Sequence, residues 1–281
     1  MKELSWTGER LVTSVTDIHG VIEHLHRYAL AMELTKGLRV LDIASGEGYG
    51  SNLISTVAAH VTGVDISAQS VQHANEKYQH SSLIFKEGST SKIPLEDNSV
   101  DIVVSFETLE HHDEHQQMMN EIKRVLVPNG VLLLSSPERS IYKSRDPENP
   151  YHIKELTLNE LKSLLGSSFK NVQIYDQRFV FGSLINSHDK TDGIQFYDGD
   201  YSRISKTLDE DIFYNRPFFN LAIASDGDIP AAMPGTSLFN GVKVLRGELK
   251  QMENLRKSTS YRLGNFFVQP FAILKKKLSG Q

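Results

Sequence analysis

Short apolar runs alternate with stretches of helical rhythm along most of the chain. Arg39–Ala44 (RVLDIA), Val61–Ile66 (VTGVDI), Leu83–Lys86, Asp101–Phe106 (DIVVSF) and Val131–Ser136 (VLLLSS) each read as a buried strand. Between them lie predicted helices. One covers residues 20–35, with Val21, Ile22, Leu25, Ala29 and Met32 on its apolar face. Another covers 50–58, and a third follows Ser67 as its N-cap. Asp113–Val127 turns Met118, Ile122 and Val125 inward and stops at Pro128-Asn129-Gly130, and Leu158–Leu165 adds a short helix. Asn171–Tyr175 and Phe219–Ala224 predict a sixth and a seventh strand. Strands alternating with helices imply parallel βαβ units, so the fold class is α/β, doubly wound, with helices on both faces of the sheet. No repeat of solenoid period is present.

Composition narrows this picture. The chain has 281 residues, 39% of them hydrophobic, enough for one large core and an appendage. It has no cysteine, which excludes disulfides and thiolate metal sites. The opening MKELSWTGER has no apolar run of the secretory kind. No stretch reaches the ~18–20 apolar residues of a membrane span. A cytoplasmic protein is the expectation. From Gly241 onward nine Lys/Arg face two Glu, so the tail carries +7 and the rest −12 within a net −5. An acidic body argues against a nucleic-acid partner.

The chemistry-bearing residues fall where predicted strands end: Ser45–Gly50, Asp65, Ser89, Phe106–His111 and Pro137. Ligands of doubly wound sheets sit beyond the carboxyl ends of the strands. Gly46-Glu47-Gly48-Tyr49-Gly50 follows a strand and opens a helix, and its glycines let backbone approach a ligand closely. Asp65, at the end of the next strand, can accept hydrogen bonds from two ribose hydroxyls.

The successive stretches VLDIASGEGYGSNL, VTGVDIS, IPLEDNSVDIVVSFETLEHH and EIKRVLVPNGVLLLSSP resemble the ordered motifs of the class I S-adenosylmethionine-dependent methyltransferase family, over roughly residues 20–180. The resemblance implies a mostly parallel seven-stranded sheet whose last strand is antiparallel. It implies S-adenosylmethionine as cofactor. Ala44, Ser45, Gly46 and Gly48 would wrap its methionine half, Asp65 and Ile66 would hold the ribose side, and Phe106 would lie beside the methionine. The acid that such proteins often place against the adenine is here Ser89, next to Thr90; a hydroxyl can accept the same hydrogen bond. Thr7-Gly8-Glu9-Arg10 and His24-x-His26-Arg27-Tyr28 also occur in similar bacterial methyltransferases. They imply that Arg10, Arg27 and above all Tyr28 meet the methionine carboxylate.

Phe106-Glu107-Thr108-Leu109-Glu110-His111-His112 has the spacing of a site for chemistry. On a helix, Glu107, Glu110 and His111 would share one face. Two carboxylates and an imidazole suit a divalent cation, and His152 can supply a further ligand. The pattern is similar to that of metal-dependent O-methyltransferases. It implies Glu107, Glu110, His111 and His152 as ligands of Mg or Mn. A bound ion lowers the pKa of an alcohol and orients it. Without a metal, His111 or His112 is the expected base.

Three segments follow from these readings. Residues 1–36 complete the cofactor site. Residues 37–228 form the methyltransferase domain, with 182–217 as an insertion whose His188, Tyr197 and Tyr201 suit a carbohydrate. Residues 229–281 form a basic, amphipathic helical tail. Within it Val242, Leu245, Leu249 and Met252 have two-heptad spacing, which suits docking or weak homo-oligomerisation. Phe266, Phe267, Phe271, Ile273 and Leu274 lie near Lys275-Lys276-Lys277, which suits an anionic membrane surface. Ser258-Thr259-Ser260-Tyr261-Arg262-Leu263, a Ser-x-x-(Tyr/Trp)-Arg-Leu stretch, resembles the ends of bacterial proteins that build surface polysaccharides. The combined expectation is a sugar O-methyltransferase of lipopolysaccharide or capsule synthesis, at the inner face of the cytoplasmic membrane or within a glycan-assembly complex. Its acceptor would be a glycan, a nucleotide sugar or another small molecule. A quinone or small-metabolite methyltransferase and a non-catalytic cofactor-binding scaffold stay open beside it.

Overall fold

The computed structural model describes residues 13, 18–145, 149–180, 198–199, 201, 204–205, 217–230, 235–261 and 263. Arg10, most of the 182–217 insertion with His188 and Tyr197, and the tail from Gly264 on lie outside these.

Helix α1 (Ile18–Leu34) precedes β1 (Arg39–Ile43), α2 (Tyr49–Ser55), β2 (His60–Asp65), α3 (Ala68–Lys77), β3 (Leu83–Glu87) and β4 (Val100–Phe106). A 3-10 turn (Leu109–His111) then leads to α4 (His115–Val125), β5 (Leu126–Pro137), α5 (Arg139–Arg145), α6 (Leu158–Ser168) and β6 (Asn171–Gln177). The two-residue strands β7 (Asp198–Gly199) and β8 (Ile204–Ser205) pair with each other, and β9 (Phe219–Ser225) and α7 (Val242–Lys257) follow. The main sheet has seven strands in the order β3-β2-β1-β4-β5-β9-β6. All neighbours are parallel except β9, which runs antiparallel between β5 and β6. This is the doubly wound α/β sheet, with its last strand reversed, that the motif order implied.

Successive side chains of a strand point to opposite faces, so the central strands feed two cores. Leu41, Ile43, Val103, Leu132 and Leu134 pack with Met118, Met119 and Ile122 of α4 and with Leu161 and Leu165 of α6. Val40, Ile102, Val104, Leu133 and Ile223 pack with Tyr28, Ala31 and Leu34 of α1 and with Ile54 of α2. Burial on both faces explains why these strands are mostly apolar. Local signals set the helix starts. Ser67 Oγ accepts from the Ser70 amide, as expected of an N-cap. Thr157 and Glu160 form a capping box at α6.

Three expectations differ from the structure. Helix α4 ends at Val125 rather than Val127. Strand β5 has already begun at Leu126, and it takes in Pro128-Asn129-Gly130 as an irregularity where the β4 register passes from Val100↔Leu126 to Ile102↔Val131. Asn129 adopts the left-handed φ of 62° that this needs. Helix α5 has no counterpart among the elements that the apolar pattern predicts. In α1, Val21, Ile22, Leu25, Ala29 and Met32 are only half-buried, while Glu23, Arg27, Tyr28, Ala31 and Leu34 are buried. The helix packs along the sheet face by Ala31 and Leu34 and reaches the carboxyl ends of the strands with Arg27, which meets Gln177 and Glu107, so its inward side combines apolar and polar groups.

Candidate functional site

The loop after β1 is bent by three left-handed residues, Ala44 (φ 60°), Gly46 (φ 58°) and Gly48 (φ 92°). Ala44 bears a side chain in a conformation that disfavours one, a local strain of the kind that clusters at ligand sites. Asp65 holds the loop in place: its Oδ2 accepts from the Gly46 amide at 2.8 Å and its Oδ1 from the Ser67 amide at 2.9 Å. A Cβ at Gly48 would lie 2.7 Å from Phe85, so this glycine serves helix–sheet packing. Beside Asp65, Ile66 is 76% exposed, a bare apolar side chain at the rim.

Asp42 lies beneath the loop, fully buried in β1. It accepts from Ser51 Oγ at 2.6 Å and from the Tyr28 hydroxyl at 3.5 Å. Burial raises its carboxyl pKa to about 7 despite these donors, and Asp65 adds to the rise. Glu47 is buried on the other side of the loop and accepts from Thr13 N and Oγ1, both at 3.0 Å, and from Lys77 Nζ at 2.6 Å. Thr13 is thereby drawn against the loop. Neither acid was singled out from the sequence. Asp42 had a signal, as an acid in the middle of the apolar run RVLDIA.

Helix α1 brings Tyr28 and Arg27 to the same end of the sheet. Tyr28 packs edge-on to Phe106 at 5.1 Å and to Tyr49 at 5.6 Å, and its burial holds the phenol well above its usual pKa. Arg27 is 1% exposed. Its guanidinium lies 4.8 Å from the Phe219 ring centre and 6.0 Å from that of Phe106. Nη1 donates to Gln177 Oε1 at 2.8 Å and faces Glu107 Oε1 at 3.6 Å. Among the described residues Nε and Nη2 have no partner. A buried charged donor in this state costs on the order of a few kcal/mol. The Nε–Nη2 edge has the fork geometry that matches a carboxylate. Nearby, His24 bonds the Tyr49 hydroxyl at 2.8 Å, and burial with the Arg27 charge keeps its pKa well below the usual value.

Residues 107–112 do not form an α-helix. Glu107 is left-handed (φ 52°), and a 3-10 turn covers Leu109–His111. The acids therefore diverge. Glu107 accepts from Ser135 Oγ at 2.6 Å and faces Arg27. Buried Glu110 lies beside half-buried His111 and His152, their ligand-capable atoms all within 4.8 Å of one another. The structure thus gathers three of the four expected metal ligands and places Glu107 with Arg27 instead. His111 Nδ1 donates to the Tyr151 carbonyl at 3.1 Å, which leaves the lone pair on Nε2. His152 Nδ1 pairs with buried Glu155 at 2.7 Å, an orienting contact that the sequence reading missed although Glu155 lies only three residues on. The amides of Ile153 and Lys154 donate to the Glu110 carbonyl, so this segment is tied to the turn.

His112 points elsewhere. Its Nε2 lies 3.4 Å from Thr90 Oγ1, and burial, reinforced by His115, lowers its pKa, so it is neutral near pH 7. Ser89 Oγ bonds Ser91 Oγ at 3.2 Å in the same loop. His111 and His112 thus serve different parts of the site.

Residues 41–134 match the family model described as a methyltransferase domain. The chain is 37% identical over 165 residues to a "Probable S-adenosylmethionine-dependent methyltransferase" of Mycolicibacterium smegmatis, covering 58% of this chain and 63% of that protein. A protein of the same name from Mycobacterium tuberculosis is 36% identical over 166 residues, covering 58% of this chain and 60% of that one. The chain thus spans under two thirds of the length of these relatives. Among solved structures, a SAM-dependent methyltransferase from Archaeoglobus fulgidus superposes with a TM-score of 0.52 at 20% identity, covering 74% of this chain and 94% of that one. That likeness is one of fold.

Proposed function

We propose that this chain, which carries a methyltransferase domain on the class I fold, transfers a methyl group from S-adenosylmethionine to a hydroxyl oxygen, with a sugar as acceptor. The observation that carries the cofactor reading is the unpartnered Nε–Nη2 edge of buried Arg27, at the strand ends where the Asp65-anchored loop opens. A cofactor carboxylate would satisfy that edge. The free lone pairs of Asp65 suit ribose hydroxyls, and exposed Ile66 offers an apolar face to an adenine ring. Ser89 and Thr90 line the adenine side. When bound, the cofactor supplies an electrophilic methyl group on a sulfonium.

On the acceptor side, Glu110, His111 and His152 offer hydrogen bonds rather than an apolar wall. A hydroxyl-rich acceptor fits that lining better than a quinone ring does. Without a metal, His111, with its lone pair on Nε2, is placed to take the proton of an acceptor hydroxyl. In the alternative, Glu110, His111 and His152 together suit a Mg- or Mn-like ion, with Glu155 orienting His152. Such an ion would supply Lewis acidity that makes an alcohol easier to deprotonate. The aromatic pair Tyr28 and Phe106 excludes water from the methionine side.

Transfer of labelled methyl from the cofactor to a panel of nucleotide sugars, glycans and quinols tests the acceptor class. Label in a sugar supports the reading. Label only in a quinol replaces the acceptor. Cofactor binding with no transfer to any acceptor favours the scaffold.

A further inference from the structure

Helix α7 stands on the domain by its foot. A Cβ at Gly241 would lie 2.3 Å from Ile22 Cδ1 of α1, and His26 bonds Ser237 at 2.7 Å just before it. Val244 and Glu248, one turn apart, are half-buried. The next face is bare: Val242, Leu245, Leu249, Met252 and Leu255 are 38–61% exposed. Their 3–4 spacing makes a continuous apolar stripe. Lys243, Arg246, Lys250 and Lys257, spaced by three, four and seven residues, form a row along another side of the helix. Over the whole helix five basic residues oppose two acidic ones.

We propose that α7 docks this protein onto an anionic lipid surface, with the apolar stripe entering the headgroup–acyl boundary and the basic row meeting the headgroups. Charge decides between this occupant and a second copy. Self-pairing brings two helices of net +3 together over about two heptads, short of what an isolated coil needs. An anionic surface is complementary to the same charges. Among the described residues no helix is long and apolar enough to cross a membrane, so the contact is peripheral. The inference does not depend on the acceptor.

The test is co-sedimentation of the full chain with phosphatidylcholine vesicles and with phosphatidylcholine/phosphatidylglycerol vesicles, for the wild type, Leu249→Glu and the Lys243→Glu/Lys250→Glu pair. Both sites are exposed, and circular dichroism confirms folding. The expected result is binding to the anionic vesicles only, weakened about tenfold or more by either variant and by added salt. Absence of binding overturns the proposal. So does binding that both variants leave unchanged, which would assign it to the residues beyond α7. A dimer in light scattering that Leu249→Glu dissolves, without vesicle binding, also overturns it in favour of a second copy.

Discussion

The phenol ring of Tyr28 rests on the backbone of Gly50: a Cβ at position 50 would fall 1.9 Å from Tyr28 Cζ. This contact joins α1 to the start of α2 and aims the Tyr28 hydroxyl at Asp42. Gly50→Ala should therefore destabilise the fold by about 1–3 kcal/mol through overpacking. In a Tyr28→Ala background most of that cost should vanish, because the clashing ring is gone. Denaturant unfolding of the four proteins measures the coupling. An equal cost in both backgrounds would show that the ring is not what excludes the methyl.

Asp42 makes stability depend on pH in an unusual direction. The folded chain keeps its proton up to about pH 7, while the unfolded chain releases it near pH 4. Folding takes up a proton between those values, so this group's contribution falls as pH rises from about 4 to 7 and is flat above. A rise of about three pKa units corresponds to a ceiling of about 4 kcal/mol. Asp42→Asn should gain on the wild type in melting temperature as pH increases over that range. Parallel curves for the two proteins would contradict the assignment.

Arg27 should matter for one part of the cofactor. Arg27→Lys keeps the charge but loses the fork, and should weaken S-adenosylhomocysteine binding about 10- to 100-fold. A decarboxylated analogue should bind the wild type and the variant equally. If the variant weakens both ligands alike, the residue acts through packing of Phe106 and Phe219 instead.

The metal reading separates Glu110 from Glu107. Glu110→Gln should abolish Mn binding, Glu155→Gln should weaken it about 10-fold or more by releasing His152, and Glu107→Gln should leave it intact. Paramagnetic resonance of free Mn measures all three. Loss in Glu107→Gln alone would restore the helical arrangement that the structure does not show.

The sheet was legible because buried parallel strands are written as plain apolar runs, and Ser67 announced its helix by capping chemistry. Asp65 and the 44–48 loop were legible because a strand end and a glycine turn coincide. Helix α1 misled, since reading amphipathic pattern assumes that the inward face is apolar. Here that face carries Arg27 because the amino-terminal half of the helix reaches the strand ends, where Arg27 meets Gln177 and Glu107. Glu107 misled because helical spacing was assumed where a left-handed residue turns the chain and sends its carboxylate toward Arg27 and Ser135. Pro128-Asn129-Gly130 looked like a stop because a turn sequence does not announce that a strand begins before it. The meeting of His152 with Glu110 and His111 depends on a loop tied to the β4 turn by backbone hydrogen bonds, whereas its partner Glu155 lies only three residues on.

The most direct measurement is calorimetric titration of S-adenosylhomocysteine into the wild type and Asp65→Ala, with folding of both checked by thermal melting. The account predicts one site per chain in the wild type and binding weakened about tenfold or more in the variant, as loss of charge-assisted hydrogen bonds requires. Absence of binding to the folded wild type, or equal binding by both proteins, would contradict it.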